Sequence, residues 1–304
     1  MNKPGIESED HSELMSMKKI TAINNAIQNA ISIVAAKAKR ALQEPDYNAA
    51  MAIELPPLVN ACGVFPGVKF GGCFIHQSPM ATFVGKDGKS STCEVGDLLV
   101  VCHDVVDGED RYNAALIQWK KLSSGVEKIT GAALKQLDLY EHWPVFILNC
   151  CNCQFDIQPK TVTPGAQYGL VLSDPSVSMY CTIPSMTLKV ANSPSFARFI
   201  INLMKWQTGR PLVLDENQGV QDSWSALIIH LLFVTLSKRF NRKNVGYEDW
   251  PRASKELLRM LIESKEVNDG IASVNEKEEQ DDGSISILYV EMGEGKEVRE
   301  EIVE

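Results

Sequence analysis

The stretch GDLLVVCHDVVDGEDRYNAALIQWKK, residues 96–121, limits the fold more than any other part of the chain. Two apolar runs flank an Asp-Gly pair at 107 and 108, a strong local signal for a hairpin turn. LLVVCHDVV is apolar on both faces, which suits a strand buried in an α/β or α+β core. The two runs also carry polar residues at the ends remote from the turn: Asp97 on one, Gln118 and Lys120 on the other. A two-residue turn at Asp107-Gly108 sets Asp97 opposite Gln118, and a four-residue DGED loop sets it opposite Lys120. Directly paired residues, and residues two apart on one strand, project to the same face of a sheet. Either loop therefore gathers Asp97, Gln118 and Lys120 on one face. A three-residue loop would pair Asp97 with Trp119 and disperse them.

Around the hairpin, periodicity supplies the remaining elements. Ile20, Ile23, Ile27, Ile31 and Val34 recur at steps of three and four, the pattern of an amphipathic helix, which Pro45 is expected to stop. NAAMAIEL follows and is closed by Pro56 and Pro57. GGCFIHQ and MATFV read as strands that lead through a GKDGKS turn into the hairpin. TGAALKQLDLYEHW reads as a second helix ended by Pro144, and VFILNC as a short buried strand. The order is helix, a three-stranded meander, helix, strand. Beyond residue 155, YGLVL and MTLKV are strand-like. SPSFARFIINLMKW is a helix with Ser193 as cap and Pro194 at its first position, and DSWSALIIHLLFVTLSKRF is a helix capped by Asp222 or Ser223. PRASKELLRMLIES is a third helix, and SISILYVEM reads as a final strand returning to the body. The expected division is a flexible arm at 1–17, a core at 18–154, a mixed and mostly helical elaboration at 155–265, and an acidic tail at 266–304.

The net charge of −9 is unevenly distributed. Residues 266–304 hold 13 acidic and 3 basic side chains, leaving 26 acids against 27 bases in the rest. A nearly neutral body neither requires nor excludes a nucleic-acid partner, since a local basic cleft suffices. No apolar run approaches the roughly 20 residues of a membrane helix, and the first residues carry no apolar signal-peptide segment, so a cytoplasmic protein is expected. Eight cysteines without a regular framework fit a reducing compartment better than a disulfide scaffold.

A carboxylate, an amide oxygen and an ammonium group at adjacent strand ends suit metal-assisted phosphoryl chemistry. Mg²⁺ prefers oxygen ligands and is commonly held by one or two carboxylates, waters and substrate phosphate. A neighbouring ammonium group stabilises charge developing on phosphoryl oxygens or orients an attacking water. In element order, with GD on one strand and QWK on the next, residues 18–150 resemble the PD-(D/E)XK nuclease superfamily, in the variant with Q-X-K found in Mrr-like restriction enzymes. The resemblance implies a restriction-endonuclease-like αβββαβ core and Mg²⁺-dependent (or Mn²⁺-dependent) hydrolysis of DNA phosphodiester bonds, in the setting of bacterial restriction or antiphage defence. It also implies a homo-oligomer or a protein activator as a partner to look for, and places Asp97, Gln118 and a further acid as metal ligands with Lys120 as the electrophilic residue. Glu54 in MAIEL is the expected further acid, with Glu44 as its rival. Glu94 is disfavoured because Glu94 and Asp97 on a single strand would face opposite ways. The family's Pro-Asp pair is absent, since Gly96 precedes Asp97, and the Gln removes one negative charge from the metal's surroundings.

Other readings stand beside this one. The polar trio could cap strands and serve only the structure of a non-catalytic binding or regulatory protein. Cys150 and Cys153 have CxxC spacing, half a zinc site, without a second CxxC or HxxxH to complete it, so they also read as small core residues at a strand end. His76 lies alone in FIHQ. Cys102 and His103 are adjacent on a strand and so point apart, which excludes a nucleophile–base pair. Lys135 and Gln136 are placed to face a cleft. Lys205, Arg210, Lys238, Arg239, Arg242 and Lys243 form a looser basic set.

Overall fold

The computed structural model describes residues 6–76, 78–172, 177–214, 222–242, 245–263 and 283–293, with side chains described from residue 17 onward. Gln77, Lys243 and most of the acidic tail lie outside these.

A long helix, α1 (Ile6–Ala38), opens the described chain, so residues 6–17 are helical where a flexible arm was expected. Ile23, Ile27, Ile31 and Val34 are buried along one stripe, as their spacing requires. The helix ends at Ala38, before Lys39 turns to a positive φ of 53°. Pro45 does not stop it. Instead Pro45 sits in the first turn of α2 (Glu44–Ala49), and Pro56 and Pro57 likewise open α3 (Leu55–Ala61) after a π-helical turn at Ala50–Glu54. Proline lacks only a donor that the first turn leaves unbonded anyway, so Pro45 starts a helix, whereas Pro56 and Pro57 follow the π-helical turn without a break.

The strands that follow are β1 (Val68–Cys73), β2 (Met80–Val84), β3 (Ser90–Glu94), β4 (Leu98–Val106), β5 (Glu109–Leu122) and β6 (Val126–Lys128). Helix α4 (Ala133–His142) leads to β7 (Phe146–Leu148), β8 (Cys153–Phe155), β9 (Ala166–Leu172), β10 (Ser178–Thr182) and β11 (Thr187–Lys189). The rest comprises α5 (Phe196–Met204), β12 (Arg210–Leu212), α6 (Ser223–Arg239), α7 (Trp250–Glu263) and β13 (Ser286–Met292). Ser195, not Ser193, caps α5, its hydroxyl accepting from the Arg198 N–H, while the Asp222 carboxylate caps α6 through the Trp224 and Ser225 N–H groups.

The chain has mixed α and β content, built on a seven-stranded mixed sheet in the order β1-β13-β4-β5-β9-β10, with β12 also paired to β5. A four-stranded sheet runs β3-β2-β7-β8, and β11 pairs with β6. Two expectations change and a third holds. The expected meander splits, because β2 and β3 leave the central sheet for the smaller one. VFILNC supplies β7 to that smaller sheet, so the parallel neighbour of β5 is β9, from YGLVL. The C-terminal strand does return, and it enters between β1 and β4, parallel to β4 over Ser286–Glu291. Residues 155–293 thus complete the sheet that the expected 18–154 core was to form alone.

Both faces of the central sheet are covered, which explains the two-sided apolarity of β4. Leu98, Val100 and Cys102 pack with α1, the π-helical turn, α3 and α5; Leu99 and Val101 pack with α4, α6 and α7. Trp119 of β5 is fully buried against Phe196. Its paired residue on β9 is Gly169, where a Cβ would lie 2.2 Å from the indole ring, so only glycine leaves room for it. Among the described residues no helix is long and apolar enough to cross a membrane.

Candidate active site

The turn that fixes the site is two residues long. Asp107 and Gly108 have φ of 54° and 83°, the left-handed pair that a tight hairpin turn requires, and Val106 pairs with Glu109 across it. The register then runs unbroken to Leu98 opposite Ile117. The Asp97 N–H donates to the Ile117 carbonyl at 2.9 Å, which places Asp97 opposite Gln118 and excludes the four-residue loop.

Asp97 is held from three directions. Its Oδ2 accepts the Trp119 backbone N–H at 2.7 Å and its Oδ1 accepts the Ser78 hydroxyl at 3.2 Å. Its carbonyl accepts the Asn48 amide at 2.5 Å, and Asn48 Oδ1 in turn accepts the Trp119 indole N–H at 2.9 Å, so α2 is pinned to this end of the hairpin. The side chain is buried, 7% exposed. Burial, with the Glu94 charge next, pushes its carboxyl up to about 7; the Trp119 N–H opposes the shift, Glu44 adds to it and Lys120 opposes it. A carboxylate has about four acceptor positions, so two accepted bonds leave it able to bind a cation.

Gln118 is 1% exposed. Its amide donates to Glu94 Oε2 at 3.2 Å, and its Oε1 is buried without a partner among the described residues. Leaving a buried carbonyl oxygen without a partner costs about 1–3 kcal/mol, which a bound cation or water at this position would offset. Lys120, two residues on, is partly buried, and its charge acts on both Asp97 and Glu44. Burial raises the Glu44 carboxyl above the usual carboxylate range; Lys120 and the Lys121 N–H oppose this, and Glu94 and Glu127 reinforce it. From α4, the buried Gln136 reaches the rim with its amide 3.4 Å from the Glu94 carbonyl.

The structure therefore brings together Asp97, Gln118, Lys120, Glu44 and Glu94. It does not bring Glu54. That side chain lies on the π-helical turn and pairs with Lys37 at 2.6 Å, with no electrostatic effect on Asp97 among the interactions found. Glu44 begins α2, the helix whose Asn48 is bonded to Asp97, so the acid delivered by this segment is the rival rather than the expected one. The rule of alternating faces does not apply to Glu94: it ends β3 of the smaller sheet, the chain bends at Val95 and Asp97, and Asp97 precedes a strand of the central sheet. No sequence signal marks this change of sheet.

The remaining candidates lie elsewhere. His76 is exposed beside Phe74. Cys102 and His103 face opposite sides of β4, His103 joining a separate polar cluster near the turn. Arg210 pairs with Asp222 and covers Trp224, and Arg242 pairs with Glu256, so these two serve local packing. The chain has no match among family models, curated proteins or solved structures.

Proposed function

We propose that the chain is a Mg²⁺- or Mn²⁺-dependent DNA endonuclease with a restriction-endonuclease-like core, its active site at the open end of the β4–β5 hairpin. The observation that carries the reading is the Gln118 Oε1, buried and without a partner among the described residues, at the end of the hairpin where burial and the Glu94 charge raise the Asp97 and Glu44 carboxyls. Carboxylates crowded in this way favour a divalent cation, and the oxygen-only donor set suits a hard one. The topology supports it in part: hairpin β4–β5, helix α4 and strand β9, parallel to β5, occur in that chain order, with β6 before α4 and β7 and β8 of the smaller sheet before β9. The chain departs from that core in taking its next strand from the C-terminal segment.

In this reading Asp97 Oδ1, Gln118 Oε1 and Glu44 hold the cation, which when bound polarises the phosphodiester and acidifies water. Glu94 holds the Gln118 amide so that its oxygen faces the site. Lys120 places its ammonium group where charge grows on the phosphoryl oxygens, in a partly buried setting that strengthens its effect. Bacterial restriction or antiphage defence is the setting that goes with such an activity.

A second reading has its own observation. Asp97 is almost enclosed and already accepts two hydrogen bonds, which suits a scaffold that binds without cutting. Incubation of plasmid and linear DNA with Mg²⁺ or Mn²⁺, wild type against Lys120→Ala, separates the two. Metal-dependent cutting lost in the variant supports the nuclease. A wild type inert toward both DNA forms in both metals favours the scaffold.

A further inference from the structure

A second cluster, on the far side of the molecule's chemistry, uses different donors. The turn joining β7 to β8 carries Cys150 and Cys151 and closes with Asn152 in the left-handed region, φ 56°. His230 comes from the middle of α6 and is 4% exposed. Its ring is gripped between Phe155 and Trp250, at centroid distances of 6.2 and 5.4 Å. Cys150 Sγ lies 3.9 Å from His230 Nε2, and the two sulfurs and a ring nitrogen all fall within 4.8 Å of one another. In tetrahedral zinc sites, with Zn–S of about 2.3 Å and Zn–N of about 2.0 Å, the sulfur–nitrogen edge is about 3.6 Å. The Cys150–His230 edge needs only a few tenths of an ångström to contract.

Two further features are those of a built site. The Cys153 backbone N–H donates to Cys151 Sγ at 3.2 Å, a bond that steadies negative charge on sulfur and so favours a ligating thiolate. On the other side, Gly283 approaches with its backbone. A Cβ there would lie 2.4 Å from Cys150 Sγ and 3.8 Å from His230 Nε2, so any larger residue would fill the space beside the donors. None of the eight cysteines is in a disulfide.

We propose that Cys150, Cys151 and His230 bind one Zn²⁺, with the fourth position taken by Cys153 Sγ or by water. Thiolate and imidazole donors in this proportion select zinc over the hard cations suited to the carboxylate site. On binding, each ligating thiol releases its proton to solvent, His230 donates through Nε2, and no bond is broken or oxidised. The ion ties two parts of the fold that are distant in sequence, the β7–β8 turn of the smaller sheet and helix α6, and the Gly283 backbone passes beside them. Its role is structural.

Elemental analysis of the full chain after dialysis without added metal tests this, together with cobalt titration of protein stripped by chelator. One zinc per chain is expected, and cobalt should give a sulfur-to-metal absorption band whose intensity counts two thiolates or, with Cys153, three. Cys150→Ser and His230→Gln should lose the metal and the band, whereas Cys62→Ser, which removes an exposed thiol elsewhere, should keep both. A folded wild type that holds no zinc and gives no cobalt–sulfur band overturns the proposal. So does zinc that survives both substitutions, or a Cys150–Cys151 or Cys151–Cys153 disulfide in the protein as isolated.

Discussion

The two ends of one hairpin make opposite uses of similar side chains. Near the turn, His103 of β4 is buried with its Nε2 2.8 Å from Asp110 and its Nδ1 3.1 Å from the Tyr289 hydroxyl; Glu291 lies 3.9 Å from Nδ1 and Lys255 3.4 Å from Asp110. Asp110 and Glu291 there each have a cationic or hydrogen-bonding partner. Burial pushes Asp110 up, but the His103 bond and charge with Lys255 outweigh it and hold the carboxyl below its usual value. The His103 bond likewise holds Glu291 low. At the open end, Asp97 and Glu44 are raised, and Lys120 is the cation that opposes the shift of both. Neutralised clusters near the turn strengthen the fold, while the open end keeps an excess of acid that a cation would relieve.

The sharpest way to break this contrast is activity. Lys120→Ala and Asp97→Asn should each lower metal-dependent DNA cleavage by about 10²–10³-fold or more, measured by plasmid nicking, whereas Asp110→Asn should leave turnover within a few-fold. Equal losses at both ends would erase the distinction. Stability should respond in the opposite sense. His103→Ala removes a ring stacked on Tyr112 at 4.5 Å and takes one partner from each of two acids, so denaturant unfolding should show a loss of about 2–3 kcal/mol. Asp97→Asn should cost less than that above neutral pH.

The pH dependence sharpens the same point. Asp97 binds its proton more tightly folded than unfolded, with a folded value of about 7 against an ordinary 3.8. Its contribution to stability is therefore complete below about pH 4 and is lost as pH rises toward 7. Thermal melts of metal-free protein should show this decline, and Asp97→Asn should flatten it. Added Mg²⁺ should stabilise more at pH 8 than at pH 6, because protons no longer compete for the carboxylate. The smallest effect is expected from Glu54→Gln, whose Lys37 pair is exposed on the lysine side and worth below about 1 kcal/mol. Glu44→Gln should instead impair cleavage, and the reverse ranking would restore Glu54 to the site.

How much of this was legible depends on distance along the chain. Asp107-Gly108 is a local turn with a defined geometry, and a two-residue loop propagates register by counting, so Asp97 opposite Gln118 follows from the sequence once the loop length is chosen. The isoleucine stripe of α1 and the Asp222 cap are legible for the same reason: both are periodic or nearest-neighbour effects. Glu44 and Glu54 were not separable, because both lie in one short helical segment and its orientation depends on the Asn48 bonds to Asp97 and Trp119. Pro45 showed that one residue can end a helix or begin one, and neighbouring residues do not decide which.

By itself, then, the sequence determined the hairpin, the two-sided burial of β4 and the identity of the polar residues at its open end, while the loop length that sets the register was decided by the structure. These rest on turn dihedrals and on side-chain alternation, which act over a few residues. Only the tertiary structure decided that β13 enters beside β4 nearly 190 residues away, that β2 and β3 leave for a second sheet, and that Glu94, Glu44, and separately His230 with Cys150, meet their partners. Those pairings are fixed by how two covered faces of one sheet fill with helices, and packing of that kind leaves no mark on any short stretch of chain.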